Sequence, residues 1–588
     1  MKKLINNPES IVQDMCHGII LAHPELELLP KYKIIKRKNA DAGKVNLISG
    51  GGSGHEPAHA GFVGKGMLDA AVCGDIFASP SQIQVYRAIK AAATDKGVLL
   101  IIKNYSGDIM NFQNAAHMAQ EDGILVESVK VDDDIAVQDS LYTVGRRGVA
   151  GTVFVHKIAG AAAELGRSLE EVKDAAKKAI ANIKSIGFAL TSCTVPAKGS
   201  PTFELSDSEM EYGVGIHGEP GISRKKVEEA QELAERMSAA ICKELGLDGE
   251  GAKGARVAVL INGFGATPLM ELYLFNKDVI KELSAKGIVV VRTFVGNYMT
   301  SIDMAGASLS VLRLDDELES LLNEPCNTAG LKIDGPLQTI AYYDLPAHTN
   351  EALSACYEVE TSKTYAAVGN VLTLENIVYV IDVMSACIIE NEVPFCELDS
   401  HAGDGDFGMS LAKGFRQLKG EWKNIVDNSK SIGSFLDACS LILMEHCGGA
   451  SGPIWGSAFR AAGKFAGERI SLSESEFAAM LQAVVAGIQS MGERYFGRAT
   501  VIGDKTLIDA LAPCAEIWSE LSSKSEGFEA AFLAGAKAAV EGAKKTEQIA
   551  ARMGRAGTVG ERSIGHPDAG AHALGVIFSE IAKALEYK

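Results

Sequence analysis

The chain has 588 residues and a formal net charge of −18, with 47% apolar and 22% charged residues. This acidic balance argues against nucleic acid as a partner, and the composition is that of a globular chain long enough for roughly three or four domains. Eleven cysteines occur without a Cys-x-x-Cys pair, no apolar leader follows Met1, and no apolar run is long enough for a membrane span. A cytoplasmic protein with no membrane partner is predicted.

From the N-terminus, short apolar β-rich runs alternate with helical patterns. Val45–Ser49, Leu68–Cys73, Val98–Lys103 and Ile124–Val131 read as buried strands, with an amphipathic helix over Ser81–Ala93. A second α/β unit begins near Ile186. Its strands are expected at Gly187–Thr191, Val257–Ile261, Ile288–Phe294 and Ser308–Leu314, with a long helix over Lys225–Leu245. From about Pro325 to Gly369 the pattern weakens into prolines and mixed polar residues, which reads as a linker. Beyond Leu372 strand-like runs vanish. Amphipathic segments over Leu374–Glu392, Ile432–His446, Glu476–Phe496, Thr506–Leu521, Phe528–Ile549 and Ala571–Tyr587 predict an all-α domain. The expected division is an α/β domain over 1–328, with subdomains at about 1–184 and 185–328, a linker over 329–369, and a helical domain over 370–588.

The chemistry concentrates in glycine-rich loops. In the helical half, Leu398–Phe407 reads L-D-S-H-A-G-D-G-D-F and brings Asp399, Asp404 and Asp406 within eight positions. Hard divalent cations take oxygen ligands, and Mg²⁺ shares its shell with substrate phosphates. The run is not an EF-hand, because no twelve-residue loop closes on Glu. Alone it is also the composition of a solvated acidic turn. Three further loops join it: Cys447–Gly456 with Gly448, Gly449, Ser451 and Gly452; Gly503–Asp509 with Lys505 and Thr506; and Gly554–Gly570 with Arg555 and Arg562. Four phosphate- or metal-friendly loops in one helical domain favour a nucleotide site over four independent turns. In the α/β half, Ser49–Pro57 (S-G-G-G-S-G-H-E-P) follows a strand and ends on His55. Lys103–Asp108 follows another strand, where α/β proteins place ligands. Tyr212–Pro220 sets His217 between glycines. A lone His is more often structural; two His and an Asp in such loops point to a site.

These motifs, G-G-G-S-G-H-E-P, K-N-Y-x-G-D, G-x-G-I-H-G-E-P, L-D-x-x-x-G-D-G-D-x-G and G-E-R-S-x-G-H-x-D-x-G-A, resemble those of single-chain, ATP-dependent dihydroxyacetone kinases over essentially the whole chain. In that family a ketose-binding K domain is joined to an ATP-binding L domain. The resemblance implies an α/β K domain of two subdomains followed by an all-α helical-barrel L domain. It implies that His217 holds a small ketose as a covalent hemiaminal, with Asp108 as general base and His55 on the substrate hydroxyls. Gly52, Ser53, Gly54 and Lys103 would complete the pocket. Asp399, Asp404 and Asp406 would hold two Mg²⁺. Asp404, Gly405, Asp406, Phe407, Gly449, Ala450, Ser451, Gly497, Lys505, Thr506, Leu507, Arg555, Ala556 and Gly557 would line ATP. A domain-swapped homodimer is implied, and forty-odd linker residues at about 3.3 Å each provide ample reach.

Several positions depart from the family's pattern. Ala450 stands where Ser or Thr is usual, Lys505 and Leu507 replace Arg and Met, and Arg555–Thr558 replaces R-A-S-Y, which leaves the base preference open. The expected reaction is phosphorylation of dihydroxyacetone. Kinases for erythrulose or glyceraldehyde, a non-catalytic ketose-binding regulator, and a phosphoprotein-dependent transferase are the alternatives.

Overall fold

The computed structural model describes residues 3–39, 41–137, 145–219, 221–345, 359–553, 557 and 559–588. Two units, Met1–Asp344 and Leu345–Lys588, each close around their own contacts.

The first unit holds two six-stranded sheets. In the first sheet the order is Leu26–Leu29, Ile34–Arg37, Ala70–Ile76, Asn46–Ser53, Val98–Lys103, Val126–Val131. The last four run parallel and the first two form an antiparallel edge. Val98–Lys103 (VLLIIK) is buried at every position, as a parallel strand covered on both faces must be. The helix Gln82–Ala92 starts where expected because Ser81 and Gln84 close a capping box. The parallel strands end together at Ser53, Ile76 and Lys103, and there the polar loops begin.

The second sheet runs in the order Ser223–Lys226, Glu209–Tyr212, Ile183–Ala189, Gly306–Leu314, Arg256–Gly263, Val289–Gly296. Only its last pair is parallel. The expected helix over Lys225–Leu245 is shortened to Ala230–Glu244. Ser223–Lys226 instead pairs antiparallel with Glu209–Tyr212, and a Glu229–Glu232 capping box fixes the later helix start. Both ends of the stretch expected as a linker are built into folded units. Lys332–Ile333 pairs with Cys326–Asn327, and Ala367–Val368 pairs with Glu586–Tyr587.

The second unit is helical. The expected segments appear as Leu374–Glu390, Ile432–His446, Glu474–Phe496, Ile508–Lys524, Phe528–Lys545 and Ala569–Ala584. Helices at Glu392–Asp399, Phe407–Gly420, Trp422–Asn428 and Ser451–Ala466 are added. The last begins inside the stretch expected as the loop Cys447–Gly456, so Gly452 is helical rather than part of an open loop. Close helix approach depends on glycine at Gly542, where a Cβ would lie 2.1 Å from the Asp509 carbonyl oxygen. The helices surround an apolar cavity of about 140 Å³ that Met384, Trp455 and Phe532 help to line. No helix among the described residues is long and apolar enough to cross a membrane.

Candidate functional site

In the first unit the glycine loop is shaped by what it must avoid. A Cβ at Gly51 would lie 2.4 Å from Lys103 Nζ, and one at Gly52 would lie 2.7 Å from the Phe77 backbone. The loop thus lets strand end, Lys103 and Phe77 converge on His55. The His55 ring stacks on Phe77 at a centroid distance of 5.1 Å. His217 stands edge-on at the centre, 4.8 Å from His55, 5.4 Å from Phe77 and 4.4 Å from Tyr105, centroid to centroid. Its loop is pinned from behind. The His217 amide donates to Glu219 Oε2 at 2.8 Å, and buried Arg147 donates to Glu219, to Asp134 and to the Gly213 carbonyl.

His55 and His217 therefore come together, and Lys103, whose charge both rings feel, lies 3.8 Å from Asp108. Ser53 and Gly54 serve the loop rather than a ligand. The Ser53 hydroxyl donates to the Gly74 carbonyl at 2.7 Å, and the Gly54 amide donates to the Glu56 carboxylate at 3.1 Å. The Gly54 amide, expected as a pocket donor, is thus already satisfied by a neighbour.

Three buried polar atoms here have no partner: His55 Nε2, Asp108 Oδ1 and the Tyr105 hydroxyl. Buried polar groups are normally paired, so such a cluster is a site waiting for polar atoms of a ligand. His55 Nδ1 lies 2.8 Å from the Thr300 carbonyl, which only accepts. Nδ1 therefore carries the ring proton and Nε2 is a bare acceptor. Burial, then His217 and Lys103, holds His55 well below the ordinary histidine range, which keeps that acceptor free. Loss of solvent, with Lys103 and Arg147 adding, pushes His217 down to about 3, so its ring is a neutral nucleophile at pH 7. Burial raises Asp108 above the ordinary carboxylate range against the pull of Lys103.

In the second unit, Asp399 ends one helix and Asp406 precedes the next. Single carboxylate oxygens of Asp399, Asp404 and Asp406 all lie within 4.8 Å of one another. The Gly405 amide donates to Asp399 Oδ2 at 3.0 Å and folds the loop back. Burial, with the Asp404 charge nearby, raises Asp399. Such crowding of acids is the donor set a hard divalent cation needs.

Asp399, Asp404, Asp406, Phe407, Ala450, Ser451, Lys505, Thr506 and Leu507 line one cavity of about 190 Å³, joined by Met553 and Asp568–Gly570. Gly405, Gly449 and Gly497 are not on its wall. Gly497 instead ends the helix Glu474–Phe496 in the left-handed region, at φ +73°. Arg555 and Ala556 lie outside the described residues; Gly557 is described, and its amide donates to the Met553 carbonyl at 3.1 Å.

Lys505 needs a correction. Its ammonium donates to the carbonyls of Ile549, Ser563 and His566. It stitches the last loop in place and has no donor left for a phosphate. Asp568 is the residue that sequence reasoning missed as a wall of this cavity, although it stands in the G-H-P-D-A-G run. Burial, with Asp509 and Asp399 nearby, lifts its carboxyl to about 7 despite the Ala571 amide and Lys505.

Comparison with known proteins fits this two-part architecture. A Dak1 domain matches residues 17–330 and a DAK2 domain matches residues 401–583. The L-erythrulose 1-kinase of Mycolicibacterium smegmatis is 34% identical over 586 residues, covering all of both chains. The chain belongs to the dihydroxyacetone kinase family. Among solved structures of that family, the dihydroxyacetone kinase from C. freundii in complex with AMP-PNP and Mg²⁺ matches with a TM-score of 0.60 at 30% identity, covering 99% of each chain. The dihydroxyacetone-binding subunit of a PTS-dependent dihydroxyacetone kinase from Listeria innocua is 54% identical over 318 residues, 54% of this chain and 95% of that subunit.

Proposed function

We propose that this dihydroxyacetone kinase family member transfers the γ-phosphoryl group of Mg-ATP to a hydroxyl of dihydroxyacetone. The observation that carries the reading is the cluster of partnerless polar atoms around neutral His217. Two of the three, His55 Nε2 and Asp108 Oδ1, suit the hydroxyl hydrogens of a small polyol. A ring nitrogen of His217 adds to the ketone carbon: the N–C bond forms, the carbonyl oxygen takes up a proton, and the ring gives up its N–H proton. The resulting hemiaminal selects for aldehydes and ketones. Asp108 then takes the proton of the attacking hydroxyl. In the second unit the three Asp carboxylates suit a pair of Mg²⁺, which when bound neutralise phosphate charge and fix the phosphates for in-line transfer. Ser451 and Thr506 offer hydroxyls on the same cavity wall.

His217→Ala is expected to lose the adduct, read as a mass increment on the intact protein with dihydroxyacetone. Because the ring stays neutral down to about pH 3, wild-type adduct yield should be flat between about pH 5 and 8. A loss on acidification near 6.5, the ordinary histidine value, or an adduct that persists in the variant would assign the anchor elsewhere. The substrate itself is tested by ADP release across dihydroxyacetone, erythrulose and glyceraldehyde.

The likeness to a PTS-dependent subunit favours a second reading, in which the phosphoryl donor is a phosphoprotein. Turnover with ATP as the sole donor decides against it.

The two sites lie in separate units of the fold, so transfer must bring a K and an L unit together with water excluded. We infer a homodimer in which the L unit of one chain serves the K unit of its partner. Mixing inactive His55→Ala/Asp108→Ala chains with inactive Asp404→Asn/Asp406→Asn chains should restore activity once subunits exchange. A monomer with full activity in light scattering at assay concentration would rule this out.

A further inference from the structure

His59 is buried four residues beyond His55 and has no part in the chemistry above. Its ring is held at both nitrogens. Nδ1 lies 3.3 Å from Ser49 Oγ, and Nε2 lies 3.0 Å from Lys103 Nζ. Ser49 Oγ is also 2.7 Å from the Ile101 carbonyl. A carbonyl only accepts, so the single Ser49 proton is committed there. What Ser49 offers His59 is a lone pair. Nδ1 therefore carries the ring proton, Nε2 is bare, and Lys103 donates to it.

We propose that His59 is a positioning residue: through a tautomer set by Ser49, it keeps the Lys103 ammonium from closing its loose ion pair with Asp108 to full contact. Lys103 Nζ sits 3.8 Å from Asp108 Oδ2, an ion pair looser than a direct hydrogen bond. Neither side chain has appreciable contact with solvent. The bare backbone of Gly51 is what leaves room for this placement, since a Cβ there would lie 2.4 Å from Nζ and 3.5 Å from Asp108 Oδ2. An ammonium with no acceptor on its far side would close on the carboxylate and tighten the pair to hydrogen-bond contact. A carboxylate in full contact with a cation holds its proton less readily and is a weaker base.

The other groups facing this pair leave His59 as the acceptor. His156, from the helix Thr152–Glu164, packs 5.2 Å from the His59 ring centroid, and both its nitrogens are buried without a partner. His55 and His217 lie on the substrate side and feel the Lys103 charge. Ser79 and Lys103 both pull the Asp108 carboxyl down, against its burial. Burial, then Lys103, His156 and His55, holds His59 well below the ordinary histidine range, consistent with a permanent acceptor.

The inference rests on Asp108 as the base, so Asp108→Asn is measured alongside. The readout is the pH profile of kcat with dihydroxyacetone and Mg-ATP. His59→Leu should lower kcat about tenfold and displace the acid limb to lower pH by about one unit, because Asp108 gains a contact cation. The His217 adduct should form as in the wild type. His59→Gln supplies an acceptor oxygen and should recover most of both effects, which a merely space-filling role would not require. An unmoved acid limb in His59→Leu, or a Gln variant no closer to wild type than the Leu variant, overturns the proposal. If thermal unfolding shows that His59→Leu does not fold, Ser49→Ala takes its place: it releases the tautomer and should displace the limb in the same direction, and an unmoved limb overturns the proposal equally. A limb that survives in Asp108→Asn overturns the base assignment and this proposal with it. A limb lost there but unmoved in His59→Leu overturns the proposal alone.

Discussion

Asp404→Asn or Asp406→Asn is expected to lower kcat for ADP release about a thousandfold while leaving ketone capture at His217 intact. The substitution keeps the side chain's shape and removes one negative charge. The three carboxylates converge within 4.8 Å on the wall of a cavity that also carries Ser451 and Thr506. A hard cation held by three acids loses much of its binding when one becomes an amide, because the amide offers a weaker, uncharged oxygen. The His217 pocket belongs to the other unit, with its own sheets and core, so the adduct mass should be unchanged in both variants. Excess Mg²⁺ should recover part of the lost rate if affinity is what the substitution costs. Turnover like that of the wild type would remove these carboxylates from the reaction.

Asp108→Asn is expected to lower kcat by about 10²–10⁴-fold with little change in KM, the range for loss of a positioned general base. Burial raises the Asp108 pKa, and Lys103 opposes the rise only in part. The base works deprotonated. Activity should therefore fall as pH drops through a limb lying above the ordinary carboxylate range, and that limb should vanish in the Asn variant. Asn keeps a hydrogen-bonding side chain against Ser79 and the substrate, so the mass of the His217 adduct should be retained. A large rise in KM at unchanged kcat would instead make Asp108 a binding residue.

Much of this was legible locally. The run VLLIIK can only be a strand covered on both faces, and Val98–Lys103 is that strand. The helices expected from Ser81 and Leu374 start at Gln82 and Leu374, each behind a capping box closed by Ser81 or Thr373. Three aspartates separated by glycines declare a turn with converging carboxylates, because a short loop cannot spread them far apart. The motifs around His55, Asp108 and His217 identified the family, and the chain folds so that they meet.

What the sequence left open depends on partners far along the chain. Lys505 reads as a phosphate ligand, yet three carbonyls 44 to 61 residues away claim its ammonium. The Ser53 hydroxyl is taken by the Gly74 carbonyl, 21 residues on. Ser223–Lys226 has the polarity of a helix start, and becomes a strand only because Glu209–Tyr212 lies beside it. The tautomers of His55 and His59 follow from carbonyls at Thr300 and Ile101, 245 and 42 residues away in sequence. Periodicity and propensity are properties of neighbours in the chain. Which polar atom is satisfied, and which is left bare for a substrate, is decided by groups that only the tertiary fold brings within hydrogen-bond distance.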